Sequence, residues 1–316
     1  MEKLEILKIF LEDGIQLTPK ALDMIFENQD IIDKIRNFAK KRNLILIDEN
    51  IFLELKKEET QEIKILYPEE IVSYSIEDVI KMYKERFEFL SNIIQKNYTS
   101  FNLTSLSKIK KLKNGDEAMI IGMVKDKTTY TILLEDFTGY ETIKLDAKVT
   151  EKLFFDDVLG IRVRKEGEEF IGYKVFFPSL TFFRKVSNLE KEVIISISGI
   201  RINSKILPIK PADVVRIYIN DYKLFLLDLR LIESYKQRFE SYIDVLASLI
   251  ERRHLNPSFL RSKKLYKKDL FLLDEIPDSI IILNSNEAIY RVYKGINIFF
   301  LPKNKSLFLK ERNFSE

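Results

Sequence analysis

Ala118–Leu145, AMIIGMVKDKTTYTILLEDFTGYETIKL, is the stretch on which the architecture turns. Its apolar and β-branched runs predict strands at Ala118–Val124, Tyr130–Glu135 and Glu141–Leu145, with polar turns between them. Outward from there, strands are predicted at Val158–Arg164 and Phe170–Phe177, and a short helix around Lys148–Phe154 between the third and fourth. Five strands with a helix in that place match the OB-fold, a small Greek-key barrel. Gly122 and Gly139 stand where such a barrel bends or turns sharply.

The flanks read differently. Near the N-terminus Leu4, Leu7, Phe10 and Leu11 keep helical spacing, Thr18-Pro19 is a cap with Pro at the first helical position, and Asp30 opens a third helix before an extended Leu44–Ile47. Residues 1–53 are therefore expected to form a helical interaction module, with a DNA-reading winged helix as the alternative. Residues 54–74, acidic and weakly patterned, read as a linker. Ser75-Ile76-Glu77-Asp78 has the form of a capping box ahead of a helix with Ile80, Tyr83, Phe87, Leu90 and Ile94 on one side, so residues 75–180 become a helix plus barrel. Over residues 181–316 strands fit Val193–Ser198, Val214–Ile219, Lys223–Asp228, Ser279–Leu283, Ala288–Val292 and Gly295–Leu301, with a helix from about Ile232 to Arg253. The class is α+β.

Composition narrows the chemistry. The chain has 316 residues, no cysteine, one histidine and a net charge of only +3. Zinc knuckles, disulfides and Cys nucleophiles are excluded, and nucleic acid cannot be held by bulk charge. A single histidine, His254, cannot supply a binuclear metal site. Asp156, Asp157, Asp221 and Asp228 are scattered and read as solvated acids; no metal or other cofactor is expected. With no run of about 18 apolar residues, a cytoplasmic setting is expected. Lys125, Lys127, Tyr130 and Lys144, with Phe137 and Tyr140, are candidate nucleic-acid contacts on the barrel hairpins; solvated lysines and rim aromatics are the alternative. The same two readings hold for Lys108–Lys113 and Arg261–Lys268.

Residues 193–205, VIISISGIRINSK, begin as a buried strand and are expected to end in a polar loop carrying Gly199, Arg201 and Asn203. Leu134-Glu135-Asp136-Phe137-Thr138-Gly139 after Ile121-Gly122-Met123-Val124, then Arg252-Arg253-His254-Leu255-Asn256-Pro257 and Ile276-Pro277-Asp278, in that order, with the Tyr83-Lys84-Glu85-Arg86-Phe87 segment ahead of the barrel, make the sequence resemble the small subunit of the archaeal family-D DNA polymerase. The resemblance implies a helical module, an OB barrel and a calcineurin-like phosphodiesterase domain (an α/β sandwich) with 3′–5′ exonuclease activity. It also implies a large catalytic partner subunit that docks through a zinc-bearing module, DNA, and a place for a sliding clamp.

Against the family's Ser-Asp-x-His-x-Gly-Ser-Lys pattern, Ser198, Ser204 and Lys205 match, but Gly199 and Arg201 stand where the Asp and His ligands should be. Asp228 falls in the place of a ligand His, Asn284 and Asn286 in that of a Gly-His-x-His phrase, and the Lys205–Val214 interval is too short for the remaining ligand loops. Residues 181–316 are thus expected to be a reduced, inactivated phosphodiesterase-like domain. His254, no ligand in the family, is expected to be structural, capping a helix end. The expected function is a non-catalytic accessory subunit of a replicative polymerase. The alternatives are an active 3′–5′ exonuclease or phosphoesterase subunit and a stand-alone single-strand-binding OB protein.

Overall fold

The structure, a computed structural model, describes residues 1–52, 62–98, 102–180, 187–189, 191–202, 205–261 and 265–315. It divides into Met1–Ile63 and Lys64–Glu316. In the first unit α1 (Lys3–Glu12), β1 (Gln16–Leu17), α2 (Pro19–Glu27), α3 (Ile32–Arg42) and β2 (Leu46–Ile47) follow one another, with β1 and β2 paired in parallel. Thr18 Oγ1 accepts from the Ala21 N–H to start α2, and Asn43 at φ 52° ends α3. Ile6, Phe10, Ile25, Ile35 and Ile47 form its core.

The second unit opens with β3 (Ile63–Leu66) and α4 (Ile76–Asn97), started by the Ser75–Asp78 capping box. The linker expected over 54–74 is corrected in its second half: β3 borders a six-stranded sheet, and the Ile71 N–H donates to the Leu265 carbonyl. Strand pairing and the packing of Leu66 and Ile71 on the large core hold this segment, which its acidic neighbours hid in the sequence. Its first half lies almost wholly outside the described residues.

After α5 (Leu106–Ile109) come β4 (Glu117–Lys127), β5 (Thr131–Asp136), β6 (Gly139–Lys144), α6 (Ala147–Lys152), β7 (Val158–Glu166) and β8 (Glu169–Phe176). They close a barrel in the order β4-β5-β6-β8-β7, with β6 and β8 parallel and the remaining pairs antiparallel. That is the strand order of an OB barrel. Gly122 is required by packing: a Cβ there would lie 2.4 Å from Leu134 Cγ on the neighbouring strand β5.

The rest of the chain forms β9 (Val193–Ser196), β10 (Gly199–Ile202), β11 (Lys205–Pro208), β12 (Val214–Ile219), β13 (Tyr222–Asp228), α7 (Leu229–Glu233), α8 (Tyr242–Glu251), β14 (Ser279–Ser285), β15 (Ile289–Tyr293), β16 (Ile296–Pro302), β17 (Ser306–Phe308) and β18 (Asn313–Ser315). One sheet runs β15-β16-β14-β13-β12-β3, with β13, β14 and β16 parallel at its centre; a second runs β11-β10-β9-β17-β18. Phe225, Leu227, Ile280, Ile282 and Phe300 join Val245, Leu246 and Leu249 of α8 in the largest core, and on the other face Phe299 meets Phe314 of β18. The single helix expected over Ile232–Arg253 is instead α7, a 3₁₀ turn at Lys236–Arg238 and α8. The break falls where Ser241 and Asp244 form a second capping box, a start signal inside the apolar pattern.

The barrel is joined to this part through buried charge. Arg252 Nε donates to both oxygens of Asp157 at 3.0 Å, and its Nη2 to the Lys152 carbonyl. Arg261 pairs with Asp156, which also accepts from the Tyr83 hydroxyl. Asp156 and Asp157 are therefore not solvated acids: both are buried, and Asp156 takes φ 64°, turning two consecutive carboxylates toward different arginines. Asp269 accepts from Arg86 Nη2 at 3.0 Å and bonds His254 Nε2 at 2.9 Å. The His254 ring does not cap a helix as expected; it is buried, and its Nδ1 accepts from the Asn256 N–H. The helix end is capped by the His254 backbone N–H, which donates to the Leu249 carbonyl. Among the described residues no helix is long and apolar enough to cross a membrane.

Candidate functional site

Three parallel strands deliver their C-terminal ends to one edge of the six-stranded sheet, the usual place for ligands in such sheets. Here β13 ends in Asp228 and β14 reaches Asn284, where the register with β16 shifts and the backbone takes φ 64°. With Leu229, Arg230, Glu233 and Lys303 they line an open depression of about 440 Å³. Asp228 is the centre of its hydrogen bonding. It accepts from Arg230 Nε at 2.8 Å and Nη2 at 3.2 Å, from the Arg230 N–H at 2.9 Å, and from Asn284 Nδ2 at 2.9 Å. Burial works to raise the Asp228 carboxyl, but these donors outweigh it and hold it below the usual carboxylate range.

The structure thus brings Asp228 and Asn284 together and leaves the other positions singled out by the resemblance elsewhere. Asn286 is exposed and faces a different depression, with Tyr242 and Phe300. Gly199 and Arg201 lie in the other sheet, and the loop expected after the Val193 strand is corrected to a hairpin. The chain turns at Ile197-Ser198 and pairs straight back, Gly199 opposite Ser196 and Arg201 opposite Ile194. The alternation continues through the turn, burying Ile200 and Ile202 and leaving Arg201 exposed beside Ile206 of β11. A Cβ on Gly199 would stand 2.7 Å from the Leu207 carbonyl oxygen, so the hairpin itself demands glycine. Ser204 of the sequence pattern is outside the described residues.

A two-metal phosphodiesterase centre needs Asp, Asn and His ligands converging from several loops. These residues do not fit one. Of the positions singled out by the resemblance only Asp228 is a carboxylate, and it already spends both oxygens on an arginine; no group of three His, Asp or Glu able to hold a metal occurs among the described residues.

On the barrel, Lys125 pairs with Glu135 at 2.9 Å and lies over the exposed Tyr140 ring, and Tyr130 projects into solvent. Lys144 pairs with Glu169. Lys127 is corrected from a nucleic-acid contact to a structural group. Its ammonium donates to the Thr150 and Leu153 carbonyls at 2.8 and 2.6 Å, closing the end of α6, and burial lowers its pKa. In the two lysine clusters Lys110 faces Glu141, Lys267 faces Glu69 and Lys268 faces Asp274; Ser262–Lys264 lie outside the described residues. What sequence reasoning missed is a groove beside this face, between α4 and the β5–β6 turn, lined by Ile80, Tyr83, Phe87, Met123 and Phe137. The stripe of Ile80, Tyr83 and Phe87 was in view in the sequence, but nothing local showed that its first turns would be left open.

No protein-family profile and no curated protein matches the chain. Similar solved structures each span 24% of it, with a TM-score of 0.21. They include an S. pombe Stn1–Ten1 complex (19% identity, 73% of that chain) and the telomere capping protein Ten1 from Saccharomyces pombe (19%, 78%). A third is the hypothetical protein YgiW from E. coli (16%, 89%).

Proposed function

We propose that this chain is a non-catalytic accessory subunit of a replicative DNA polymerase of the archaeal family-D type. In this reading residues 181–316 are a reduced calcineurin-like phosphodiesterase domain without exonuclease chemistry, and the chain's work is to hold a large catalytic subunit. The observation that carries the reading is the closure of Asp228 by Arg230 and Asn284 at the strand ends where a hydrolytic metal would otherwise bind. Arg230 occupies both oxygens of the carboxylate that a divalent cation would need, and its positive charge stands in the cation's place. The hairpin at Gly199 supports it independently, since a ligand side chain there collides with the neighbouring strand.

The test has two arms. Purified protein is incubated with 3′-labelled DNA and Mn²⁺ or Mg²⁺; the expected result is no degradation, and metal-dependent degradation lost in Asp228→Ala returns the chain to the exonuclease class. Co-expression with the large subunit of such a polymerase is expected to give a stable complex that raises the melting temperature of this chain. Separate elution of the two chains overturns the assignment of partner.

A further inference from the structure

One face of α4 packs Val79 and Met82 into the C-terminal core, whereas the adjoining stripe of Ile76, Ile80, Phe87, Leu90 and Ile94 is covered only over its second half. Leu90 and Ile94 are buried against Met119, Ile121 and Phe176 of the barrel. Ile76 and Ile80, one helical turn apart at the start of the same helix, are 75% and 46% exposed. From Ile80 onward the helix forms one wall of the groove, whose volume is about 380 Å³. The facing wall is Phe137, 57% exposed yet held edge-to-face on Phe87 at 4.9 Å, so an aromatic surface is fixed in place and left open.

The charges around the groove indicate what would cover it. Glu135 is paired with Lys125, Asp136 accepts from the N–H groups of Leu106 and Gly139, and Asp156 is held by Arg261 and Tyr83. Lys84 lines the same groove with no carboxylate partner among the described residues. Glu135, Asp136 and Asp156 balance Lys84, Lys125 and Arg261, so the rim offers no net positive charge to a phosphate backbone, whereas the ammonium of Lys84 beside an apolar slot suits a single carboxylate next to apolar anchors.

We propose that the groove docks an amphipathic helix of a protein partner, which inserts apolar side chains along Ile76, Ile80 and Phe137 and sets an Asp or Glu beside Lys84. The inference rests on the accessory-subunit reading in taking a protein as the occupant. The full chain is panned against a phage-displayed helical peptide library of about four turns, in parallel with Ile80→Asp. Enriched peptides are expected to carry Leu, Ile or Phe at i, i+4 and i+7 with an acid between. A synthetic consensus peptide is expected to lose about tenfold or more in affinity on Ile80→Asp. Lys84→Glu weakens it several-fold, and changing the peptide's acid to Lys restores binding to that variant. Both sites are at the surface, and unchanged melting by circular dichroism verifies the fold.

Three results overturn the proposal. The first is no enrichment that depends on Ile80. The second is an oligothymidine that binds the same groove and is itself lost in Ile80→Asp. The third is a wild-type dimer that Ile80→Asp converts to monomer in sedimentation. Metal-dependent nuclease activity of the wild type would remove the accessory-subunit reading while leaving the peptide result standing, so the two failures are told apart.

Discussion

Arg252–Asp157 and Arg230–Asp228 join the same two groups at 3.0 and 2.8 Å in opposite surroundings. The first pair is buried on both sides, between the barrel and the start of the segment after α8; in the second the arginine side chain is 80% exposed at a sheet edge. Water decides what each contributes. Removing one partner of the buried pair strands a charge that cannot be rehydrated, whereas the exposed pair exchanges partner for solvent. The junction between barrel and C-terminal sheets is therefore the fixed part of this molecule, and the strand ends where catalysis would sit are the part free to change.

The largest effect expected is at the junction. Arg252→Ala leaves Asp157 buried without its cation and should cost about 3–5 kcal/mol, read as a lowered urea midpoint at unchanged slope. A loss below about 1 kcal/mol would break the comparison, because the two pairs would then be equivalent.

Next comes the pH dependence of the same junction. Burial lowers the His254 pKa to about 4, with Arg86 pushing the same way, and only Asp269 opposing. The ring's Nδ1 is an acceptor for the Asn256 N–H, so a second proton would break that bond. Between pH 6.5 and 4 the unfolded chain binds a proton here that the folded chain does not, so stability rises with pH across this window and falls on acidification, by about 3 kcal/mol in all. Burial works to raise the Asp269 carboxyl, but His254 and Arg86 overcome it and hold it below its ordinary value, which adds a loss at still lower pH. Because the chain has one histidine, His254→Gln should flatten the slope above pH 5 in denaturant titrations. An unchanged slope would show that the ring takes its proton in the folded state.

A smaller effect is expected at the β9–β10 hairpin, where the sequence pattern led to the expectation of a polar loop. Gly199→Asp, the change that would restore a carboxylate, should instead destabilise by about 1–3 kcal/mol by pushing β10 off the Leu207 carbonyl, with no gain in Mn²⁺ binding by calorimetry. Stable protein that binds metal would place this segment with the strand ends after all. The smallest belongs to the exposed pair itself: Arg230→Ala should change stability by about 0–1 kcal/mol.

How legible all this was can be followed residue by residue. The barrel was readable because its strands stand as short apolar, β-branched runs between polar turns and the α6 position fits one strand order; every predicted strand lies within a few residues of the observed one. The strand-end cluster was half readable. The family pattern singled out Gly199, Arg201, Asp228, Asn284 and Asn286 as one group, and only Asp228 and Asn284 meet. Asp156 and Asp157 were misread because adjacent acids look solvated, and their arginines lie about a hundred residues away in sequence.

Local sequence determined what depends on neighbours along the chain: the caps at Thr18, Ser75 and Ser241, the strand periods of the barrel, and a charge and cysteine count that exclude whole classes of chemistry. Tertiary structure alone decided what depends on desolvation and long-range pairing. It turned Lys127 from a surface cation into a helix cap, buried His254 beside Asp269, brought Asn284 onto Asp228, and left half the Ile76–Ile94 stripe of α4 open. A side chain's charge and shape are written in its identity, but whether water or a distant residue meets it is settled only when the chain closes on itself.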